Sequence, residues 1–221
     1  RFEKYNLTMS EDIEIINQNT RIEKIKTFFS NNFKQLIIIL VLALLVLFLY
    51  FGYQEYKKRL KIEIAENYNT VTLKEITTLN TKDIEQLIKI IKEKDPIYSA
   101  LSLYFIIENN LVNDQKEINN FFDFVIKSQA DIEIKNLIIY KKALYNADIA
   151  SENELLGILN PILKSESLWK SHALMLMADY FEYNNNLIKS EDFLREIIDF
   201  EKSNNEIRLE AERRIKRKLG G

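Results

Sequence analysis

The sequence predicts an all-α protein, in which a single N-terminal transmembrane helix is followed by a helical domain. Two observations favour this fold class. One stretch of the 221 residues is apolar over nearly the length needed to cross a bilayer. Glycine and proline, with four and two copies, are too scarce for the many tight turns of a sheet protein. Hydrophobic residues at 47% and charged residues at 29% suit a packed core under a solvated surface.

The apolar stretch covers residues 36–51 and reads LIIILVLALLVLFLYF, without a charge. A soluble helix of this length would show a polar face, and a cleavable signal has a shorter apolar core followed by a small-residue site. Neither description fits. We therefore predict an uncleaved transmembrane helix over residues 33–56. Its interfacial aromatic residues would be Phe33, Tyr50, Tyr53 and Tyr56.

The stretch before the span, residues 1–32, is predicted to be a tail. Residues 1–20 are polar and acidic, which favours disorder. Thr20 to Phe29 has the spacing of a short amphipathic helix at a membrane surface, and the alternative is that it is simply the start of the transmembrane helix. Four Lys or Arg residues flank the span on each side, so the positive-inside rule leaves its orientation open. The sequence begins with Arg1, so both a fragment and a true start at Met9 stay open.

Helical periodicity continues to the end of the chain. Residues 57–96 are predicted to form membrane-proximal helices, one continuing the span and one opening at Thr81 and ending at Asp95-Pro96. Residues 97–219 are predicted to form helix pairs and one single terminal helix, with a capping box at Ser151 and Glu154. The pairs are Tyr98–Val112 with Gln115–Ser128, Ile132–Ile149 with Glu152–Lys164, and Leu168–Tyr183 with Leu187–Lys202, followed by Glu206–Leu219.

The helix pairs recur at a nearly constant spacing. Ile107, Ala143, Ala178 and Ala211 occupy similar places in successive first helices, 36, 35 and 33 residues apart. A period of about 34 residues with two helices per unit is typical of tetratricopeptide (TPR) repeats. We therefore predict a TPR-like α-solenoid over residues 97–219, with the terminal helix as its cap. Most of the consensus Trp, Gly and Pro positions of such repeats are missing, so an irregular helical bundle stays the alternative.

Four segments carry a resemblance to a known family. They are RIEKIKTFFSNNFK at 21–34, YSALSLYF at 98–105, LWKSHALMLMADYFEYNN at 168–185 and NNEIRLEAERRIKRKL at 204–219. With a single span and degenerate repeats, the layout over residues 20–219 resembles the YfgM-type TPR proteins, which are ancillary subunits of the bacterial Sec translocon.

The resemblance implies a single-pass protein of the bacterial inner membrane, with a cytoplasmic N-terminal tail and the repeat domain in the periplasm. It implies two partners, the SecYEG channel and a membrane-anchored periplasmic chaperone of the peptidyl-prolyl isomerase class. The implied function is to assist the handover of secreted proteins to the chaperone as they leave the channel.

The residues themselves offer little for catalysis. Cysteine is absent, His172 is the only histidine, and the four glycines form no phosphate-binding loop. The carboxylates alternate with Lys, Arg and Asn, as on solvated helix faces. We therefore expect no enzyme, no metal or other cofactor and no small-molecule substrate, and we interpret His172 as a packing residue. The net charge of −2 argues against a nucleic-acid partner, leaving protein and membrane lipid.

An aromatic group in the last helix pair is the candidate partner-binding site. Trp169, Tyr180 and Tyr183 could form a hot spot for a protein, or they could be core residues between stacked helices. The sequence thus predicts a membrane-anchored, non-catalytic scaffold. Three alternatives stay open: an envelope-assembly or cell-division scaffold, a membrane-bound enzyme with a helical active site, and a structural subunit of another membrane complex.

Overall fold

A computed structural model describes residues 2–219, with side chains over 21–24 and 26–217, and within these ranges the chain contains helices and no strands. The predicted all-α class is therefore confirmed for the described residues. The chain divides into two units, one up to Leu60 and one from Lys61 onward. Helix α1, Phe2–Thr72, supplies the described part of the first unit and the first helical turns of the second.

The first unit contains the apolar stretch. Every side chain from Ile37 to Leu60 is exposed. Among the residues searched, α1 is the one helix long and apolar enough to cross a membrane. So many exposed leucine, isoleucine and phenylalanine side chains would be unfavourable in water. Length, composition and exposure thus agree with those expected for the span predicted over residues 33–56.

The segment before the apolar stretch differs from its prediction. Residues 2–20 are helical in α1, where a disordered stretch was expected. The segment from Thr20 to Phe29 is also part of α1 and not a separate helix. The physical reason is visible in the composition, because the first glycine is Gly52 and no proline precedes it, so nothing interrupts the helix.

The second unit contains the end of α1, a short 3₁₀ turn and, within the described range, eight further helices. Their bounds are Ile76–Thr78 for the turn, then α2 Thr81–Lys92, α3 Tyr98–Glu108, α4 Gln115–Ser128, α5 Ile132–Asn146, α6 Glu152–Leu163, α7 Lys170–Tyr183, α8 Leu187–Asp199 and α9 Asn205–Leu219. All helices predicted from Thr81 onward are present, and their ends lie within four residues of the predictions.

Side-chain caps explain where several of these helices begin. The predicted capping box is confirmed: the Ser151 hydroxyl accepts from the Glu154 amide, and the Glu154 carboxylate accepts from the Ser151 amide at 2.9 Å. Asn80 and Asp83 form the same arrangement at α2. Hydrogen bonding to Ser151 holds the pKa of the Glu154 carboxyl below its ordinary value. Each cap satisfies amides that the first turn leaves free, which fixes the helix start.

The buried side chains recur in a common register. In α2, α4, α6 and α8, which we call the second helices, the register position is occupied by Leu87, Phe122, Leu159 and Leu194, and three residues later by Ile90, Val125, Ile162 and Ile197. The separations are 35, 37 and 35 residues. We call the end of α1 and α3, α5, α7 and α9 the first helices. Their own equivalent buried position is occupied by Val71, Ile106, Ala143, Ala178 and Ala211. Successive helix pairs therefore bury the same face.

This register changes two details of the sequence interpretation. Ile106 is fully buried whereas Ile107 is only partly buried, so Ile106 is the equivalent of Ala143, and the prediction of Ile107 is wrong by one residue. The register also begins earlier than residue 97, because Ile64 and Val71 occupy first-helix positions before α2. The range 57–96 thus contains a helix pair with the same buried pattern as the later pairs.

Helices of the same kind also lie beside one another. Each helix from α2 onward packs on the next, and α2 also contacts α4, α5 contacts α7, and α7 contacts α9. Each helix is thus held by its sequence neighbours, and α2 with α4, α5 with α7 and α7 with α9 also pack side by side. Side chains of α3 and α5 meet through Tyr104 and Lys141, so the first helices from α3 to α9 share a surface, which is where the candidate site lies.

We expect Leu159→Ala to lower the free energy of unfolding by about 2–5 kcal/mol, because Leu159 is fully buried and its removal leaves a cavity. Leu187→Ala is the matched control: its side chain is 52% exposed, so the loss should stay below about 1 kcal/mol. Urea unfolding of the full chain in detergent, followed by the fluorescence of the single tryptophan, measures both values. Equal losses in the two variants would contradict the packing described above.

We expect Gly157→Ala to raise the free energy of unfolding by about 0.5–1 kcal/mol, because alanine loses less conformational entropy than glycine within a helix. Gly157 lies inside α6, is exposed, and a methyl group added there would meet no atom within 4 Å. The same urea titration applies, and a lower midpoint for this variant would show that the site is tighter than the structure indicates.

Candidate partner-binding surface

The first helices contact one another through partly buried or exposed side chains at the border of the core. We call this surface the first-helix face. Its contact residues are Tyr104 on α3, Tyr140 and Lys141 on α5, Trp169 and His172 at the start of α7, Asp179 further along α7, and Arg214 on α9. Three different kinds of interaction hold it together, one at each junction between neighbouring first helices from α3 to α9.

At the junction of α3 and α5, a cation lies over an aromatic ring. The Lys141 Nζ atom is 4.1 Å from the centroid of the Tyr104 ring. Burial raises the pKa of the Tyr104 phenol to about 12, still further above neutral pH than its ordinary value. An open groove of about 340 Å³ lies beside this pair, with Leu144 and Tyr145 on its α5 side. This junction therefore offers hydrogen-bond donors next to apolar surface.

At the junction of α5 and α7, three rings pack together. Tyr140 stacks on Trp169 with centroids 5.8 Å apart, and the His172 ring lies 5.0 Å from Trp169. The Glu133 carboxylate at the start of α5 accepts from the Ser167 hydroxyl at 2.8 Å, two residues before Trp169. This bond fixes the chain where α7 begins, so the tryptophan is held against α5.

At the junction of α7 and α9, Arg214 joins three carboxylates. Its guanidinium contacts Asp179, lies 3.0 Å from Glu210, and is 3.7 Å from Glu182. Partial burial disfavours the charged guanidinium, but bonding to Asp179 and Glu210 outweighs this and raises the pKa of Arg214. The bond to Arg214 in turn lowers the pKa of Glu210. The ion pairs attach α9 to α7, and Arg214 neutralises carboxylate charge at this end of the first-helix face.

The structure does not bring the three predicted hot-spot residues together. Trp169 lies at the start of α7, and Tyr180 lies eleven residues later, roughly 16 Å along the helix. Tyr180 is partly buried, packs on the core and donates from its hydroxyl to the Ala150 carbonyl at 3.2 Å. Tyr183 is 85% exposed, one turn after Asp179. Both Trp169 and Tyr180 pack on the core, and of the three residues only Trp169 also contacts a neighbouring first helix through the first-helix face, while Tyr183 lies beside that face.

A second groove, of about 470 Å³, lies between α4, α5 and α6. Its side chains bond chiefly to one another: Asn119 and Asn146 exchange two amide hydrogen bonds of 2.9 Å, and Gln115 donates to Asn146 at 3.2 Å. Because these amides are satisfied within the fold, little binding capacity is left for a ligand. The groove beside Tyr104 is therefore the better candidate for binding a ligand.

Neither metal chemistry nor known relatives identify the surface. In the part of the chain that was searched, no group of His, Asp and Glu residues is arranged to hold a metal ion. Comparison with known proteins gives no matching family model, no matching curated protein and no matching solved structure. The interpretation of the first-helix face therefore depends on its own side chains.

Sequence reasoning missed Tyr104, Lys141, Tyr140 and the Asp179–Arg214 pair. The repeat offset contained a signal for one of these contacts, because Lys141 follows Tyr104 by 37 residues, the spacing between Ile106 and Ala143. Residues one repeat apart lie side by side on neighbouring first helices. The other contacts depend on side-chain direction, which the offset does not specify.

We expect the unfolding free energy of the wild type to fall more steeply between pH 7.5 and 5.5 than that of His172→Phe. Burial lowers the pKa of His172 in the folded chain, although a bond to the Leu168 backbone opposes the shift. As pH falls through about 6.5, the unfolded chain therefore binds this proton first and the folded state loses stability. Phenylalanine keeps the ring contacts and removes the titration.

Urea midpoints at a series of pH values, measured by tryptophan fluorescence in both proteins, provide the comparison. Carboxylate titrations are common to both and cancel in the difference. Identical pH slopes would show that His172 titrates alike in the folded and unfolded chains.

Proposed function

We propose that the chain is a single-pass membrane protein whose second unit is a TPR-like α-solenoid and acts as a non-catalytic scaffold for a protein partner. Residues 33–56 form the membrane span, and the first-helix face binds the partner. The observation that carries the proposal is the register of buried residues, which repeats through four helix pairs and α9. Contacts that join α3, α5, α7 and α9 in order accompany this register.

Physical reasons favour such a scaffold. Each helix pair buries its apolar face only against its neighbours, which is the principle of a solenoid, and stacked first helices then offer an extended surface. An anchor restricts the partner search to the membrane and raises the effective concentration there. Weak contacts on the first-helix face are then sufficient for binding.

The first-helix face has the chemistry of a binding surface more than of an active site. The carboxylate of Asp179 is neutralised by Arg214, and the imidazole of His172 packs against two aromatic rings. General acid–base catalysis requires a titrating group within reach of a bound substrate. Rings, a lysine and exposed apolar side chains suit recognition of a protein.

The specific form of the proposal follows the resemblance to the YfgM-type proteins. In this form the chain is an ancillary subunit of the Sec translocon in the bacterial inner membrane, with the second unit in the periplasm. It contacts the SecYEG channel and a membrane-anchored periplasmic chaperone and assists the handover of secreted proteins. The same architecture would serve an envelope-assembly or cell-division scaffold, or a structural subunit of another membrane complex.

Photocrosslinking in membranes tests the surface and the partner together. We expect a photoreactive amino acid at Tyr183 or Leu144, which are 85% and 46% exposed, to crosslink to a protein of defined mass. Gly157 is the matched control, because it is exposed on a second helix and has space for a side chain. Mass spectrometry identifies the product, and the Sec form predicts channel subunits or the chaperone.

The outcomes separate the general proposal from its specific form. Equal crosslinking from Gly157 and from Tyr183 would contradict a binding role of the first-helix face. Consistent absence of Sec subunits among the products of Tyr183 and Leu144 would exclude the Sec form and favour another scaffold.

Protease accessibility tests the predicted topology. In intact cells we expect the second unit to resist added protease, and we expect digestion once the outer membrane is opened, because the periplasm is then accessible. A cytoplasmic protein digested only after the inner membrane is lysed serves as the control. Protection of the second unit until that same step would place it in the cytoplasm and overturn the topology.

A further inference from the structure

We propose that the groove between α3 and α5 binds a protein segment in which an aliphatic residue lies next to an acidic residue. This inference rests on the proposed function, since it specifies the chemistry that the first-helix face recognises in a partner. The shape of the groove, its unpaired cation and the position of one carboxylate lead to it.

The groove has an apolar floor and a partly open apolar wall. Phe122, which is 1% exposed, lies at its base, and Ile107 and Leu144 line its two sides. Leu144 is 46% exposed. A volume of about 340 Å³ has room for one or two aliphatic side chains. An aliphatic residue seated here would remove Leu144 from water, which is favourable.

The cation at the rim of the groove has no carboxylate partner. Within the described side chains, no Asp or Glu oxygen lies within 4.0 Å of Lys141 Nζ, and its recorded contact is with the Tyr104 ring. The adjacent Lys142 differs, because its ammonium pairs with Asp123 at 2.7 Å. The fold thus neutralises one lysine of the pair and leaves the other at an apolar groove, where a carboxylate of a partner would complete it.

The remaining polar groups determine where an acidic residue fits. The Tyr104 phenol keeps its proton and can donate to a carboxylate beside Lys141. Glu108 lines the groove as well, is exposed, and repels a second negative charge. The acidic residue of the segment therefore lies at Lys141 and away from Glu108. The opposite outcome would be a basic segment that binds at Glu108, and the experiment below distinguishes the acidic segment from the basic one.

The test uses the full chain in lipid nanodiscs and two fluorescein-labelled peptides read by anisotropy. The acidic probe is Ser-Leu-Glu-Ser-Leu-Glu-Ser, and the basic probe replaces each Glu by Lys. We expect the acidic probe to bind more tightly than the basic one. Lys141→Gln should weaken its binding about fivefold, and Glu108→Gln should strengthen it about twofold, because the two charges act in opposite directions. Lys127→Gln, exposed on α4, changes the net charge equally and should leave the affinity unchanged.

Tighter binding of the basic probe, or acidic-probe binding that is unaltered by both Lys141→Gln and Glu108→Gln, would overturn the inference. If Lys141→Gln also lowers the urea midpoint, its weaker peptide binding no longer separates a lost contact from lost stability. The affinity of Glu108→Gln, which keeps the lysine, then decides the test. Failure here with intact photocrosslinking from Tyr183 would leave the scaffold proposal standing without this segment chemistry. Groove-dependent peptide binding without any crosslinked partner in membranes would support the groove and count against the scaffold.

Discussion

The second unit depends on close packing of helices at small or fully buried positions in a shared register. Ala143, Ala178 and Ala211 are fully buried in successive first helices. Because an alanine side chain is a single methyl group, the neighbouring backbone can approach closely at these positions. Branched and aromatic residues of the second helices fill the space between. A larger residue at Ala178 would force the helices apart, and the contacts of α7 with α8 and α9 would change together. The first-helix face is a product of this packing, since it exists only while the first helices lie side by side.

Much of the fold could be predicted from the sequence because its signals are local. Capping at Ser151 and the apolar run at 36–51 each depend on neighbours within a few residues, and several helix bounds follow from such signals. Matching Ile107 to Ala143 was wrong by one residue, because burial pairs Ile106 with Ala143 at an offset of 37. The helix pair formed by α2 and the end of α1 lies before the predicted repeats, because Asp95-Pro96 indicates a start after it, although Val71 and Leu87 already follow the same register.

The candidate site was less accessible to sequence reasoning. An aromatic run such as that of Trp169, Tyr180 and Tyr183 does not show which rings share a face, and the structure separates them along α7. The contacts that join neighbouring first helices are each formed by residues more than twenty-five positions apart, among them Tyr140 with Trp169 and Asp179 with Arg214. They follow from the repeat register and side-chain direction together, and only the register has a sequence signature.

The continuity of α1 determines where the chain can be shortened. Ile64 is 6% exposed, and Val71 belongs to the same hydrophobic cluster as Leu87 and Ile91, although both residues are on the helix that contains the apolar stretch. A version cut at residue 97, where the repeats were first expected to start, would expose the side of α3 and α4 that α2 covers. A chain that starts near residue 61 lacks the apolar stretch but keeps the end of α1 and α2, so the buried faces of the second unit stay covered. We expect a chain with this start to be expressed in soluble form.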